Sequence, residues 1–220
     1  MNPKLRHLLN QHVVASYHKQ LRLQDLVGDR EWRFDLPTAS LAFGDDLSFS
    51  TQVLGTESEA TRSWLWSWAN EDSGIPPHAL KAAAKLRGIG ESHGIDELVT
   101  PGLSTKAVSC YDLAMVATGL FGAGAYYRGP YDGGAVWLML TDARLAVPQA
   151  VDAAKVVSLF TQAVMDLPIT DHALAFKGYL QWLHWRFANH DSSVVATDPA
   201  GHAVTAEFDA RHRLVALRAG

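Results

Sequence analysis

The sequence predicts an α+β protein, with antiparallel meander sheets packed against about five helices. Two patterns carry that expectation. Near the N-terminus apolar residues recur three and four apart, the period of a helix face, and then switch to alternation, the period of a half-buried strand. The same order, a long helical stretch followed by short alternating runs, returns at the C-terminus.

The first helix is expected over residues 3–27, where Leu5, Leu8, Leu9, Val13, Leu23 and Val27 share a face. Pro3 suits a first turn and Gly28 an end. Alternation then takes over. Trp32, Phe34 and Leu36 form one run, stopped at Pro37, and Leu41 and Phe43 a second. Gly44-Asp45-Asp46 turns the chain into Leu47, Phe49, Thr51 and Val53; residues 55–59 read as another turn; Trp64, Trp66 and Trp68 alternate after it. These runs predict a four-stranded antiparallel meander.

Pro76-Pro77 opens a second helix that Gly94 closes, and residues 96–105 read as loop. A third helix is expected over about 106–120, with Ser104 or Ser109 as its cap. Pro130-Tyr131-Asp132-Gly133-Gly134 is a turn sequence, so 126–129 and 135–141 predict a hairpin. Helices are expected at about 148–165 and 171–188, then short strands at 194–197, 204–208 and 214–217. No stretch is long, polar and Pro/Gly/Ser-rich together, so 1–220 reads as a single domain. The helix-plus-meander halves 1–70 and 171–220 share a pattern but not a sequence, which leaves duplication and chance resemblance both open.

Composition narrows the function classes. The 220 residues are 48% hydrophobic and 19% charged, an ordinary globular balance. The formal net charge is -4, so the chain lacks the basic excess that nonspecific phosphate binding needs, and nucleic acid is not an expected partner. The one cysteine, Cys110, rules out an internal disulfide and a Cys-rich metal site. Arg6, His7, Asn10, Gln11 and His12 interrupt any signal-peptide apolar run, and the longer apolar stretches are core-sized, so no membrane association and a cytoplasmic location are expected.

Several motifs are excluded on mechanism. The glycines Gly119, Gly122 and Gly124 follow a helix, whereas a phosphate cradle needs a strand before it and a helix after it. No two of the ten histidines stand three or four apart, the spacing that puts two imidazoles on one helix face. No metal and no cofactor are therefore expected. There is no Gly-x-Ser-x-Gly elbow, and Cys110, between apolar neighbours, reads as a small buried hydrophobe.

Three clusters stand out. Trp64, Trp66 and Trp68, followed by Asn70, would form an aromatic row on one strand face, either packing a helix or walling a groove. Glu91 and His93, at a helix end, read as a C-terminal cap or as a proton-transfer pair. Arg128, Tyr131 and Asp132 suit anion recognition, or an Arg128–Asp132 pair pinning a hairpin.

Taken in order, these clusters resemble a family of uncharacterised bacterial proteins. The matching motifs are Trp-x-Trp-x-Trp-Ala-Asn at residues 64–70, Arg87 with Gly-Glu-x-His-Gly-Ile at 90–95, and Tyr-Arg-Gly-Pro-Tyr-Asp-Gly-Gly at 127–134. The resemblance spans about residues 5–145 and implies a coherent family without an assigned activity. Two readings of function follow. One is a non-enzymatic binding or accessory protein of immunity type, with a protein partner. The other is an enzyme or small-ligand binder whose Trp-lined pocket carries Glu91, His93, Arg128 and Asp132.

Overall fold

The computed structural model describes residues 1–146 and 151–220. The chain is α+β, and its backbone clusters into two compact units. One comprises Met1–Arg6 and Lys19–Val147, the other His7–His18 and Pro148–Gly220.

Helix α1 (Pro3–Val27) supplies its ends to the first unit and its middle to the second. Asn2 caps it by accepting the Lys4 N–H, Pro3 sits in its first turn, and Gly28 at φ +56° ends it. Strands β1 (Trp32–Asp35), β2 (Ser40–Phe43), β3 (Leu47–Ser58), β4 (Ser63–Trp66) and β5 (Gly102–Ser104) follow one another across the first sheet. The hairpin β6 (Ala125–Tyr131) and β7 (Gly134–Leu140) joins through β7, which pairs with β3.

The long β3 organises this unit. Leu47 to Ser50 pair with β2, Thr51 to Ser58 with β7, and Gly55 to Ser58 with β4 as well. A register shift between Val53 and Gly55 bends the strand as it changes partners. Residues 55–59 were expected to turn, but Gly55 to Ser58 are strand. Gly55 lacks a side chain because the neighbouring strand comes close: a Cβ there would lie 2.5 Å from the Leu65 carbonyl and 2.6 Å from the Trp64 indole. One face of the sheet buries Leu41, Phe43, Phe49, Val53, Leu138 and Leu140 with Leu23 and Val27 of α1.

Helix α2 (Lys81–His93) ends on Gly94 in the left-handed conformation, as its sequence signals. The expected loop at 96–105 instead holds a single helical turn, α3 (Asp96–Val99), and β5. Both are too short for a periodic pattern. Helix α4 (Cys110–Leu120) starts where Ser109 accepts the Tyr111 N–H, so Ser109 rather than Ser104 is the cap. A further helical turn, α5 (Ala143–Ala146), follows β7.

In the second unit, α6 (Ala153–Asp166) and α7 (His172–Trp182) precede the meander β8 (Arg186–His190), β9 (Ser193–Thr197), β10 (Ala203–Phe208) and β11 (Leu214–Ala219). The expected helix start at 148 lies outside the described residues. The expected continuation of α7 to 188 is corrected: His184 takes φ +58° after Leu183 and redirects the chain into β8. Val156, Phe160, Phe176, Val194, Val204 and Phe208 are buried in this unit, and Phe176 meets the rings of Phe160 and Phe208 at 4.9 and 6.3 Å. Gly178 lies so close to the Gln11 carbonyl of α1 that a side chain there would collide with it. Among the described residues no helix is long and apolar enough to cross a membrane.

Candidate functional site

The three sequence clusters go to different surroundings. Trp64 and Trp66 face inward from β4 and are fully buried, their rings 5.1 Å apart. Trp66 donates its indole N–H to the Glu97 carbonyl at 2.9 Å. Trp68 does not continue the row. The strand stops at Trp66, Ser67 donates its hydroxyl to the Val53 carbonyl, and a single 3-10 turn over Ser67–Ala69 carries Trp68 away. Asn70 closes that turn and accepts the Ser73 hydroxyl at 2.8 Å.

Trp68 meets Arg87 of α2, whose guanidinium lies 4.7 Å from the ring centre. Arg87 also pairs with Glu91 one helical turn on, at 2.9 Å. The His93 imidazole reaches the Ile89 carbonyl at 3.0 Å, and the His93 and Gly94 carbonyls accept hydrogen bonds from Lys4 and Asn2. Glu91 thus pairs along the surface of α2 with Arg87, and His93 bonds the last turn of the helix.

The third cluster is embedded in a network that the sequence did not display. On β6, Arg128 donates through Nε to Glu57 at 2.9 Å and through a terminal nitrogen to Glu59 at 3.4 Å. The same Glu57 oxygen accepts the Trp137 indole N–H at 3.1 Å. These bonds hold the Arg128 guanidinium above its ordinary pKa, the Glu57 hydrogen bond most of all. Of the two readings open from sequence, the pinning one takes another partner: Arg128 pairs across the sheet with Glu57 rather than with Asp132, because the register sets Arg128 opposite Trp137 and Glu57 opposite Ala135. Asp132 and Gly133 form the hairpin turn, and Tyr131 beside it is 52% exposed.

Trp137, fully buried, lies 6.0 Å from Trp64, 6.0 Å from Tyr126 and 4.8 Å, edge to face, from Tyr111. Tyr111, on α4, is 48% exposed. An unbroken chain of contacts therefore runs from Tyr111 through Trp137 and Glu57 to Arg128, Glu59 and the hairpin tip, where the Glu59 N–H meets the Gly133 carbonyl at 3.0 Å. Burial pushes the Tyr126 hydroxyl up and, with the Glu57 charge, the Cys110 thiol up to about 12. A thiol so placed is a buried hydrophobe rather than a nucleophile.

Glu57, Glu59, Tyr111 and Trp137 were missed by the sequence reading. Glu57 sat in a stretch read as turn, and its alternation with Gly55 along β3 was the signal that could have revealed it. Among the described residues no group of three or more His, Cys, Asp or Glu side chains is placed to hold a metal ion.

A family model of unknown function, DUF6882, matches residues 6–143. The chain belongs to this family. The matched stretch contains β1 to β7 and the whole Tyr111–Arg128 network, whereas α6, α7 and the second sheet lie beyond it. No curated protein and no solved structure matches the chain.

Proposed function

We propose that this DUF6882 member is a non-enzymatic binding or accessory protein of the cytoplasm, and that it engages a protein partner through the surface running from Tyr111 over Arg128 to Pro130. The observation that supports this reading is the fixed, part-exposed Arg128 in a frame of Tyr111, Tyr126 and Trp137. Tyrosine and arginine with locked rotamers carry a disproportionate share of interface energy, because little side-chain entropy is lost when they are covered. The Glu57 and Glu59 carboxylates orient the guanidinium plane and already satisfy part of it, which suits a polar partner surface. The buried Trp64 and Trp66 indoles support packing rather than a pocket wall.

The test is site-specific photocrosslinking in cells, with the probe at Tyr111 or Pro130 and, as control, at the exposed Met165 of α6. The expected outcome is one protein adduct at the first two positions, lost on Arg128→Ala with the melting temperature held within a few degrees. A thermal shift from a metabolite panel that disappears in Arg128→Ala, with no adduct formed, would replace this reading with small-ligand binding.

A further inference from the structure

Outside the family-matched stretch, the second unit carries a concavity of about 410 Å³, a size that suits a small ligand. It lies where one wall of α7, the β8–β9 turn and the β10–β11 turn meet. Its apolar lining comes from Ala173, Val194 and Phe208, and its polar lining carries both signs of charge, with Lys177 from α7, Asp191 from the β8–β9 turn and Asp209 from the β10–β11 turn.

His212, on the β10–β11 turn, is held with unusual definition. Its backbone takes φ +60°, a left-handed conformation that side-chain-bearing residues adopt infrequently. Its N–H bonds the Asp209 carbonyl at 2.9 Å, and its own carbonyl accepts the N–H groups of His172 and Ala173. Its Nδ1 lies 3.0 Å from the Asp171 carboxylate, whose other oxygen caps α7 through the Leu174 N–H. The contact to Asp171 engages Nδ1 of the His212 ring, and His212 also lines the concavity. Asp209 is likewise tied down, accepting the Arg211 and Arg213 N–H groups at 2.8 Å each.

We propose that this concavity binds a small zwitterion of the amino-acid type with an apolar side chain. The carboxylate is taken by the Lys177 ammonium, the ammonium by the Asp191 carboxylate, and the apolar group by Ala173, Val194 and Phe208. His212, held by Asp171, adds a polar side chain to the same lining. An isolated anion leaves Asp191 and Asp209 without a ligand cation, and an isolated cation leaves Lys177 without a ligand anion, so the two signs together favour a ligand that carries both. The site is independent of the Tyr111–Arg128 surface and stands or falls separately from it.

Titration of the full chain with L-leucine, 4-methylpentanoate and isopentylamine, followed by amide shifts in ¹H–¹⁵N spectra, tests the proposal. The expected result is saturable shifts centred on Lys177, Asp191 and His212 with leucine, and at least tenfold weaker binding of the two single-charge analogues. Lys177→Met and Asp191→Asn should each weaken leucine binding about tenfold while leaving the rest of the spectrum in place. Absence of saturable leucine shifts, equal affinity for 4-methylpentanoate or isopentylamine, or unchanged leucine affinity in both variants would overturn it.

Discussion

Lys19 is a long cationic side chain with 1% of its surface exposed, donating from Nζ to the Ala123 carbonyl at 2.7 Å. Burial alone lowers its pKa to about 8. Because the unfolded chain holds this proton more tightly than the folded one, stability rises as pH climbs from about 8 towards the ordinary lysine value, and the gain is missing below pH 8. Chemical-denaturation midpoints at pH 7.5 and pH 10 should therefore show a rise in the native chain that Lys19→Met flattens. Gly55 makes the opposite demand on space. Gly55→Ala drives a methyl into the Leu65 carbonyl and the Trp64 ring, and a loss of about 3 kcal/mol is expected in equilibrium unfolding. A glycine after Val53-Leu54 and before polar residues looks the same in sequence whether it turns the chain or admits a neighbouring strand. That ambiguity hid both the length of β3 and the placing of Glu57.

Elements with their own end signals were legible. Asn2-Pro3 and Gly28 bracket α1, Gly94 closes α2, and Asp132-Gly133 turns the β6–β7 hairpin. Ser109 caps α4, so Ser109→Ala should cost about 1 kcal/mol, read as a lower melting temperature with unchanged helical circular dichroism at 20 °C. Elements fixed by distant partners were not legible. β5 is a strand because Gly102 to Ser104 pair with Leu65 to Ser63, and β8 because Arg186 to His190 pair with Thr197 to Ser193. Nothing in either segment's own periodicity records those pairings. The candidate site divides in the same way. The hairpin bearing Arg128 was readable from its turn, while its carboxylate partners come from β3 and the turn after it, about 70 residues earlier in the chain.

Across the whole molecule the shifted carboxyls respond to acid with one sign in the second unit and with both signs in the first. In the second unit three carboxyls lie below the ordinary aspartate value. At Asp171 and Asp198, desolvation opposes the shift and is outweighed by the Leu174 N–H and His212 at the first, and by the His202 N–H and imidazole at the second; at Asp209 the Arg213 N–H leads. A depressed folded pKa gives stability that is present above the unfolded value and lost as pH falls through the folded one. All three therefore weaken this unit as pH drops below about 4. The first unit is mixed. Asp142 is lowered by the Arg144 hydrogen bond and loses stability in acid in the same way, but burial raises Asp112, whose folded form binds its proton more tightly and so gains stability as pH falls from its raised value to the ordinary aspartate value, before the depressed carboxyls begin to lose theirs. Acid titration from pH 6 to pH 2.5 should accordingly broaden or lose the amide signals of α7 and β8 to β11 before those of β3, β6 and β7. Asp171→Asn removes one of the three contributions, and its stability should fall less steeply with acid than that of the native chain. Simultaneous loss of both sets of signals, or earlier loss from the first unit, would show that these carboxyls do not govern the acid limit.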